Sequence, residues 1–473
     1  MKKILLLIVM CWMATSVWCQ DDEPDRKKVA VVLSGGGAKG MAHIGALKVI
    51  EQAGIPVDIV TGTSMGSIVG GLYSIGYNAN ILDSLVRTID WNYTLSDRED
   101  MSQQSLRDRE KQNTYAFSRG FTLGKSNEND GGLIKGKNLA QLFQKLCLGY
   151  TDSLDFNKLP IPFACVATDI IDNTEYDFHS GVLPKAMRAS MAIPAAFSPV
   201  RIGDKVLVDG GLRNNYPADI AREMGADIII GVTVQGAPKT SDDLGHTISI
   251  LSQIIDVNCK NKYDENLAIT DVPIRVNTEG FNAASFTDNA INELIQRGED
   301  EAMKHWDELI ALKQRIGIKD NYRPKIHTPK NASVLTEKVK VKGFIFENIT
   351  SHDEHFIRSK FHLSRYDSID SHQEEEIATS MRVDLFYQTV DTRSIPEEDG
   401  YTLVFTAGNK KTSQVNLGGR FDTEEIVALQ VNADHPLRTS IPIDVDVTLR
   451  LGKRIMGKGE LTFHPRSFTR PSI

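Results

Sequence analysis

Short apolar runs alternate with longer helix-like segments from residue 29 to residue 315. Turn residues bound the apolar runs, and the segments between them carry apolar residues at the spacing of an amphipathic helix. Strands that alternate with helices predict parallel pairing in an α/β layer fold, and continuous apolar strands suit a sheet covered on both faces. The apolar runs are KVAVVLS, VDIVTG, PIPFACVATD, KVLVDGG and ADIIIGVTV, with AHIGALKVIEQAG and SIVGGLYSIGY among the helical segments.

The composition is that of an ordinary globular chain. With 473 residues, of which 41% are hydrophobic, the chain has room for two or three domains. A net charge of −8 produces no overall field that would attract nucleic acid, and no nucleic-acid motif is present. Nucleic acid is therefore excluded as a partner.

A secretory signal peptide is predicted at the N-terminus. Two lysines precede an apolar stretch from Ile4 to Val17, and the sequence then turns polar at CQDDEPDRK. A positively charged start and a short apolar stretch are typical of a signal peptide, whereas a membrane-spanning helix needs a longer one. We therefore assign residues 1–19 to a signal peptide and residues 20–28 to a charged linker, and we expect an exported protein.

Two interpretations of the end of this signal remain open. Cleavage between Cys19 and Gln20 is compatible with Val17 and Cys19 at the two positions that the signal peptidase reads. The alternative is a lipoprotein signal in which Cys19 is lipidated, although Trp18 fits poorly in front of such a cysteine.

The cysteines of the mature chain indicate neither disulfides nor a metal site. Cys147, Cys165 and Cys259 are odd in number and scattered, without the spacing of metal ligands. Cys165 lies in the apolar run PFACVAT, where it is interpreted as a small core residue. No metal is expected.

A glycine-rich turn follows the first apolar run. Gly35, Gly37 and Gly40 match the pattern G-x-G-x-x-G at a strand-to-helix turn, which is where a dinucleotide-binding fingerprint belongs. The next strand should then end in an acidic residue, but Asp58 stands at its beginning. A phosphate-binding P-loop is excluded because Lys39 is not followed by Ser or Thr. A turn needed only for tight packing remains as a further alternative.

A second motif follows one strand later. GTSMG, from Gly62 to Gly66, matches G-x-S-x-G between the strand VDIV and the helix SIVGGLYSIGY, which is the context of a nucleophile elbow. Gly62 and Gly66 leave room for a strained turn, and Ser64 is expected at a helix N-terminus, where the helix dipole favours a developing oxyanion.

Neighbouring parallel strands would bring the two turns side by side at one edge of the sheet. The backbone N–H groups of Gly36 and Gly37, with Ala38 as a further candidate, could then stabilise the oxyanion formed when Ser64 attacks a carbonyl. This predicts acyl transfer rather than phosphate binding.

A base for Ser64 is harder to identify. His43 lies about one turn into the helix after the glycine-rich turn and is interpreted mainly as a packing or polar-contact residue. His179, in YDFHSG, lies in an apparent loop, but no partner carboxylate is evident near it.

The alternative base is Asp209, which ends the apolar run KVLVD and precedes Gly210 and Gly211. We expect it at the same carboxyl edge of the sheet as Ser64, where partial removal of water would raise the pKa of its carboxyl. DGG as an ordinary turn is the competing interpretation.

In this order, SGGGAKG, GTSMG and DGG resemble the patatin-like phospholipases, and ASMAIPAAFSPV resembles the segment that precedes their aspartate strand. The resemblance covers residues 29–315 and implies a three-layer α/β sandwich with a mainly parallel central sheet. It implies hydrolysis of acyl esters of phospholipids or similar lipids at a membrane surface, without metal or other cofactor. It also implies Ser64 as nucleophile, Asp209 as base without histidine, and an oxyanion loop formed by Gly35, Gly36, Gly37, Ala38, Lys39 and Gly40.

The remaining chain has a different pattern of residues. A polar, proline-containing linker at residues 316–335 precedes a β-α-α-β unit at residues 336–409. In residues 410–473, apolar and polar residues alternate, most strictly in IDVDVTLRL. Alternation fits either a membrane β-barrel or a soluble antiparallel sheet, and the pattern by itself favours the soluble sheet.

The family resemblance reverses this preference. In a bacterial branch similar to this chain, a patatin domain precedes a POTRA-like unit and an outer-membrane barrel of the surface-antigen type. Residues 336–409 resemble that POTRA, and residues 410–473 resemble the start of that barrel, which would be incomplete because four strands cannot close one. We therefore expect an outer-membrane-associated lipid hydrolase, and the alternative is a biogenesis, translocation or lipid-binding protein with a non-catalytic patatin domain.

Overall fold

The computed structural model describes most of the chain after the predicted signal peptide. The predicted signal peptide and most of the two predicted linkers lie outside the described residues. The described residues are 26–98, 109–111, 114–115, 117–121, 132–235, 250, 253, 257, 260–318, 322, 324, 338–410, 413–420, 427–437 and 443–463. None of the helices among them combines the length and the apolar character needed to cross a membrane.

Twenty-one strands and twelve α-helices are used in the description that follows. The strands are β1 (Val29–Leu33), β2 (Ile59–Thr63), β3 (Phe117–Phe121), β4 (Gly132–Ile134), β5 (Leu154–Asp155), β6 (Phe163–Asp169), β7 (Thr174–Phe178), β8 (Ser180–Gly181), β9 (Ala195–Phe197), β10 (Val200–Ile202), β11 (Lys205–Asp209), β12 (Ile228–Thr233), β13 (Val272–Arg275), β14 (Val339–Glu347), β15 (Ser368–Ile369), β16 (Val390–Glu397), β17 (Gly400–Ala407), β18 (Ser413–Arg420), β19 (Ala428–Leu437), β20 (Ile443–Leu451) and β21 (Ile455–Phe463). The helices are α1 (Ala42–Gln52), α2 (Met65–Ser74), α3 (Ala79–Thr88), α4 (Trp91–Thr94), α5 (Lys137–Leu146), α6 (Leu183–Ser190), α7 (Ala218–Glu223), α8 (Lys260–Ala268), α9 (Asp288–Lys304), α10 (Trp306–Ile316), α11 (Ser351–Lys360) and α12 (Ser371–Val383).

The largest sheet has the order β10-β11-β6-β2-β1-β12-β13, with β7 also paired to β6. The pairs of β1 with β2 and β12, of β2 with β6 and of β12 with β13 are parallel, as the alternating pattern predicts. The strands β7, β10 and β11 join at one side by antiparallel pairing. The central sheet is therefore mixed rather than mainly parallel on that side.

Helices cover both faces of this sheet. Because successive side chains of a strand point to opposite faces, Val29, Val31 and Leu33 of β1 join a core with α1, α2 and α9, while Ala30 and Val32 join a core with α7 and α8. The continuous apolar composition of β1 follows from this two-sided burial, and the three layers form a sandwich.

A smaller α+β unit with its own core follows. Its sheet has the order β15-β14-β17-β16, in which β14 and β17 are parallel and β16 and β17 form an antiparallel hairpin. The helices α11 and α12 lie between β14 and β16 in the chain. The predicted β-α-α-β order was incomplete, because the short β15 and the strand β16 were missed.

The last sheet has the order β21-β20-β19-β18-β3 and is antiparallel throughout. Its first four strands follow one another in the chain, as the alternating pattern predicts. The fifth, β3, belongs to a segment between α4 and α5, so its pairing with β18 joins residues about 300 positions apart. No local pattern predicted that strand.

Candidate active site

Ser64 lies between β2 and α2 in a strained backbone conformation. Its φ of 54° and ψ of −120° are unusual for a residue with a side chain, as expected in a nucleophile elbow. A Cβ atom at Gly62 would lie 2.3 Å from the Gly66 carbonyl oxygen, and one at Gly66 would lie 2.2 Å from the Leu33 carbonyl oxygen. Both glycines are therefore required by the close approach of backbone on either side of Ser64.

The Ser64 hydroxyl is hydrogen-bonded to Asp209. Ser64 Oγ donates to Asp209 Oδ2 at 2.6 Å, and Asp209 Oδ1 accepts the N–H of Gly211 at 2.8 Å. Behind this contact, a Cβ atom at Gly210 would lie 2.2 Å from the Val166 carbonyl oxygen. Gly211 thus donates a hydrogen bond to the carboxylate, and Gly210 allows the backbone to pack closely against Val166.

Asp209 reaches Ser64 by an unexpected route. We expected Asp209 at the same carboxyl edge of the sheet as Ser64, and its hydrogen bond to Ser64 places it there. The direction of its strand was not anticipated, because β11 runs antiparallel to β6. Asp209 pairs with Ala167, the residue after Val166, which itself pairs with Thr63 at the end of β2. This arrangement arises because β6 continues past the end of β2 and β11 returns along that extension. Proximity to Ser64 results from this return.

Burial makes the Asp209 carboxylate more basic than usual. The side chain is almost inaccessible to water, and desolvation raises the pKa of Asp209 to about 6, while the hydrogen bonds from Ser64 and Gly211 oppose this rise. A carboxylate with such a pKa is suited to accept a proton near neutral pH.

The glycine-rich turn continues into a short 3-10 helix, Gly37–Met41, beside Ser64. The Gly35 N–H donates to the Asn215 carbonyl at 3.0 Å, and the Ala38 N–H donates to the Ala283 carbonyl at 2.9 Å. The candidate role of Ala38 as an oxyanion donor is therefore wrong, because its N–H is already bonded. Among the described residues, the N–H groups of Gly36 and Gly37 have no such acceptor.

Side chains could not be accommodated at two glycines of this turn. Gly37 has a φ of +58°, and a Cβ atom there would lie 2.5 Å from the Ala283 carbonyl oxygen. A Cβ atom at Gly40 would lie 2.4 Å from Met65 Cγ, at the start of α2. Lys39 is largely buried and lines the same cavity as Ser64.

The two histidines considered from sequence do not bond to Ser64. His43 is fully buried, and its Nε2 is hydrogen-bonded to the Ser34 carbonyl at 2.8 Å, while burial lowers the pKa of the ring to about 4. His179 lies between β7 and β8, where its carbonyl accepts the N–H of Phe156. Asp209 is the titratable group that the structure brings to Ser64.

Sequence reasoning missed two asparagines that connect the parts of this site. The Asn214 carbonyl accepts the Thr63 hydroxyl at 2.8 Å, and the Asn215 carbonyl accepts the Gly35 N–H. The residues after DGG thus hold both the strand that ends at Ser64 and the glycine-rich turn. The two adjacent asparagines in RNNYP were the available signal.

The Asn214 side chain is itself held by a polar cluster. Its Nδ2 donates to Glu175 Oε1 at 2.7 Å and to Asp219 Oδ1 at 2.9 Å. Lys262 Nζ lies 2.8 Å from a carboxylate oxygen of Glu175 and 2.8 Å from one of Asp219, and Asn266 donates to the Asn214 side-chain oxygen at 3.1 Å.

A cavity of about 650 Å³ opens onto the Ser64–Asp209 pair. Its wall is mostly apolar and is built from α1 to α5 together with the segment after β13. Trp91 and Phe286 stack in this wall with ring centroids 4.9 Å apart. A volume of this size lies within the range of small-molecule sites. Among the described residues, no three His, Cys, Asp or Glu side chains are grouped so as to hold a metal ion.

A comparison with known families defines the class of this domain. Residues 31–222 match the family model described as patatin-like phospholipase. Residues 31–222 are therefore similar to a patatin-like phospholipase domain, and the three-layer α/β fold with its mixed central sheet agrees with this similarity.

Curated relatives share part of this domain. The human patatin-like phospholipase domain-containing protein 6 is 32% identical over 214 residues, which cover 45% of this chain and 14% of that protein. Lysophospholipase NTE1 of Scheffersomyces stipitis is 32% identical over 222 residues, which cover 47% of this chain and 13% of that protein. The chain thus matches about one seventh of the length of these relatives.

Two solved structures are similar to this chain at low TM-scores. VipD from Legionella pneumophila is 16% identical with a TM-score of 0.34, and the match covers 76% of this chain and 81% of that one. The type III effector ExoU is 14% identical with a TM-score of 0.29, and the match covers 61% of this chain and 54% of that one. TM-scores this low carry no argument about function.

Proposed function

We propose that this protein is a serine hydrolase that cleaves acyl esters of phospholipids or similar lipids, with Ser64 as nucleophile and Asp209 as base. The observation that carries the proposal is the 2.6 Å hydrogen bond between the Ser64 hydroxyl and a buried carboxylate. The strained elbow and the adjacent glycine-rich turn supply the other parts that acyl transfer requires.

In the proposed reaction, Ser64 Oγ attacks the carbonyl carbon of the ester while Asp209 accepts its proton. The N–H groups of Gly36 and Gly37 stabilise the oxyanion, and a donor of this kind lowers the barrier by about 3 kcal/mol. Asp209 returns the proton to the leaving alcohol. Water then attacks the acyl-enzyme with Asp209 again as base, which releases the fatty acid and restores Ser64.

The mostly apolar wall of the cavity supports a lipid substrate. An acyl chain would lie against side chains such as Ile68, Leu72, Leu142 and Phe143, and burial of its methylene groups would contribute about 0.8 kcal/mol each. The names of the curated relatives, which include a lysophospholipase, agree with a lipid ester.

We test this proposal with a fluorophosphonate probe, which forms a covalent bond with activated serines. Labelling is expected in the wild-type chain and should be lost in Ser64→Ala, because Ser64 is the serine that the strained elbow presents to the buried carboxylate of Asp209. Ser67→Ala is the matched control, since Ser67 lies one turn away and donates only to the Ser64 carbonyl.

Unlabelled wild-type protein would contradict the hydrolase proposal and favour a non-catalytic lipid-binding domain. Labelling that survives in Ser64→Ala would contradict the assignment of the nucleophile. Asp209→Asn should reduce the labelling rate by about a hundredfold or more, since general-base catalysis contributes on this scale.

We further propose that the chain is associated with the outer membrane through β18–β21. The side chains of Val447, Leu449 and Leu451 are about half exposed, whereas Asp446 and Thr448, on the other face of the strand, are buried. This is the reverse of a soluble sheet and agrees with apolar side chains in lipid and polar side chains on the inner face. The strands β19–β21 contain 10, 9 and 9 residues, about the length that a tilted strand needs to cross a bilayer.

The α+β unit supports the same proposal. A POTRA-like identity for residues 338–407 would place a periplasmic module between the hydrolase domain and these strands. The parallel pair β14–β17, the hairpin β16–β17 and the two helices agree with such a module.

A further inference from the structure

A second cavity lies between the patatin-like domain and the α+β unit. It has a volume of about 380 Å³ and shares no lining residue with the cavity at Ser64. The start of α5, the start of α6 and the strand β10 form one side, and α12 and β16 form the other. Its lining is rich in cationic side chains, namely those of Lys135, Lys137, Lys185, Arg188, Arg201, Arg382 and Arg393.

Arg188 is a buried cation at the base of this cavity, with an exposed fraction of only 6%. Its guanidinium donates to the main-chain carbonyls of Lys135 at 2.9 Å and Ser198 at 3.1 Å, and it lies over the Phe197 ring at 5.2 Å. These partners are neutral, and Asp97 acts on it only as a neighbouring charge. Burial lowers the pKa of Arg188 to about 10, so that it stays charged at neutral pH.

Arg382 provides a second buried cation from the α+β unit, with an exposed fraction of 3%. It donates to Thr379 Oγ1 at 2.6 Å. It also donates to Gln141 across the interface, at 2.8 Å from the amide oxygen in the orientation that satisfies both groups. The two units therefore each contribute a guanidinium to one cavity.

Two further cations stand at the mouth of the cavity. Lys185 and Arg201 are exposed, and neither forms an ion pair with a carboxylate in the described part of the chain. Asp391 is the acidic residue of the lining, and desolvation raises the pKa of its carboxyl while Lys185 opposes that rise. Arg393 also lines the cavity but is paired with Glu347 at 3.0 Å. Positive charge thus exceeds negative charge inside a shaped recess.

We propose that this cavity binds a phosphate ester of about the size of a glycerophosphate. Guanidinium and ammonium groups that converge from several directions match the oxygens of a tetrahedral phosphate. The volume exceeds what a bare phosphate ion needs and lies within the range of small-ligand sites. The apolar residues Val182, Pro199 and Val390 in the same lining suit the carbon part of such a ligand.

This site is independent of the proposed hydrolysis, because neither Ser64 nor Asp209 contributes to it. The phosphate ester has two sources that share one chemistry. One is a soluble phosphate ester, and the other is the head group of an anionic phospholipid at the membrane surface. A ligand held by residues of both units would stabilise the interface between them.

The test measures binding to the full chain carrying Ser64→Ala, so that no lipid is hydrolysed. Isothermal calorimetry with sn-glycerol 3-phosphate and with inorganic phosphate tests the soluble source. Co-sedimentation with phosphatidylcholine vesicles, with and without phosphatidylglycerol, tests the membrane source. The test variant is Lys185→Glu/Arg201→Glu, whose two positions are exposed and whose folding is checked by circular dichroism.

The control variant is Lys158→Glu/Lys304→Glu, which changes the net charge equally at two exposed lysines outside the cavity. We expect the test variant to weaken binding by about tenfold or more, while the control loses less than about twofold. Loss confined to the soluble ligands or to the anionic vesicles supports the site and identifies the source. Absence of binding to both probes, or equal loss in both variants, would overturn the proposal.

Discussion

At Ser64 and Asp209, exclusion of water and hydrogen bonding have opposite effects on the pKa of the Asp209 carboxyl group. Their exposed fractions are 5% and 2%, so the carboxylate cannot be hydrated as it would be on the surface. Desolvation alone would favour its protonated form, while donors from Ser64 and Gly211 favour the ionised form. The result is a carboxylate that is more basic than a free aspartate and still largely ionised at neutral pH.

The pH dependence of hydrolysis follows from this balance. Asp209 accepts a proton only when it is ionised, so kcat/KM should rise with pH through a midpoint near pH 6 and level off above it. Below the midpoint, the rate should fall by about tenfold per pH unit. Fatty acid released from a soluble short-chain ester is quantified at each pH.

Asp300→Asn serves as the control for this profile. Asp300 lies on α9, where its carboxylate accepts a hydrogen bond from Gln296 on the surface. Its profile should coincide with that of the wild-type protein. A wild-type rate that stays level from pH 7 down to about pH 5 would contradict Asp209 as the base.

At the scale of elements, the site depends on how three connections meet. The turn after β2 carries Ser64, and the turn after β1 carries the glycines. The strand β11 ends at Asp209, and the turn after it carries the two asparagines. Hydrogen bonds from Thr63 and Gly35 to the Asn214 and Asn215 carbonyls fix the third turn against the other two. We therefore expect the polar cluster around the Asn214 side chain to affect the proposed reaction by positioning these turns and not by contact with substrate.

Lys262→Met tests this positioning. Removal of the ammonium leaves Glu175 and Asp219 without the cation between them, so that their repulsion displaces the Asn214 side chain. We expect kcat and the rate of fluorophosphonate labelling to fall by about tenfold to a hundredfold, with little change in KM, because small displacements of reacting groups have effects of this size.

Lys260→Met is the control, since Lys260 is exposed at the start of the same helix. Its kcat and labelling rate should equal those of the wild-type protein. An unchanged labelling rate in Lys262→Met would show that the cluster is structural only.

At the scale of the whole molecule, the described part of the chain contains two kinds of sheet. In the patatin-like domain, apolar side chains are buried between the layers, because removal of apolar surface from water is favourable. In β18–β21, apolar side chains face outwards and Asn416, Asn432 and Asp446 are buried. The described part of the chain thus has one region with apolar side chains inside and one with apolar side chains on its outer face.

Val447→Lys tests the proposed lipid face. Val447 is 49% exposed in the middle of β20, and a lysine on the lipid face near the centre of a bilayer costs about 2–4 kcal/mol. We therefore expect the variant to be largely lost from the membrane fraction of cells, or from detergent-free lipid vesicles. Quantitative immunoblotting of fractions measures the change.

The matched control is Ile310→Lys, at an apolar residue of α10 that is 39% exposed in the hydrolase domain. This variant should stay in the membrane fraction. If both variants fractionate like the wild-type protein, the apolar face of β18–β21 does not hold the chain in lipid.

Much of the fold could be predicted from local pattern. The strands β1, β2 and β12 are continuous apolar runs because both of their faces are buried, and that requirement is visible in sequence. Gly62 and Gly66 could also be anticipated, because an elbow needs residues without side chains at positions set by its own geometry.

Non-local features could not be predicted in this way. The antiparallel direction of β11, the bond from Ala38 to Ala283 and the support of Ser64 by Asn214 all depend on residues far apart in the chain. The pairing of β3 with β18 is the extreme case. Such contacts depend on how several elements pack together. The sequence of one segment therefore does not predict them.

The sequence by itself determined which residues can perform the chemistry and which segments become strands, because strain and burial act on short stretches of chain. Only the tertiary structure decided that Asp209 approaches Ser64 along a returning strand, which N–H groups stay open to an oxyanion, and which cations converge on the second cavity. The physical reason is that direction, hydrogen-bond partnership and local charge density are properties of several elements packed together.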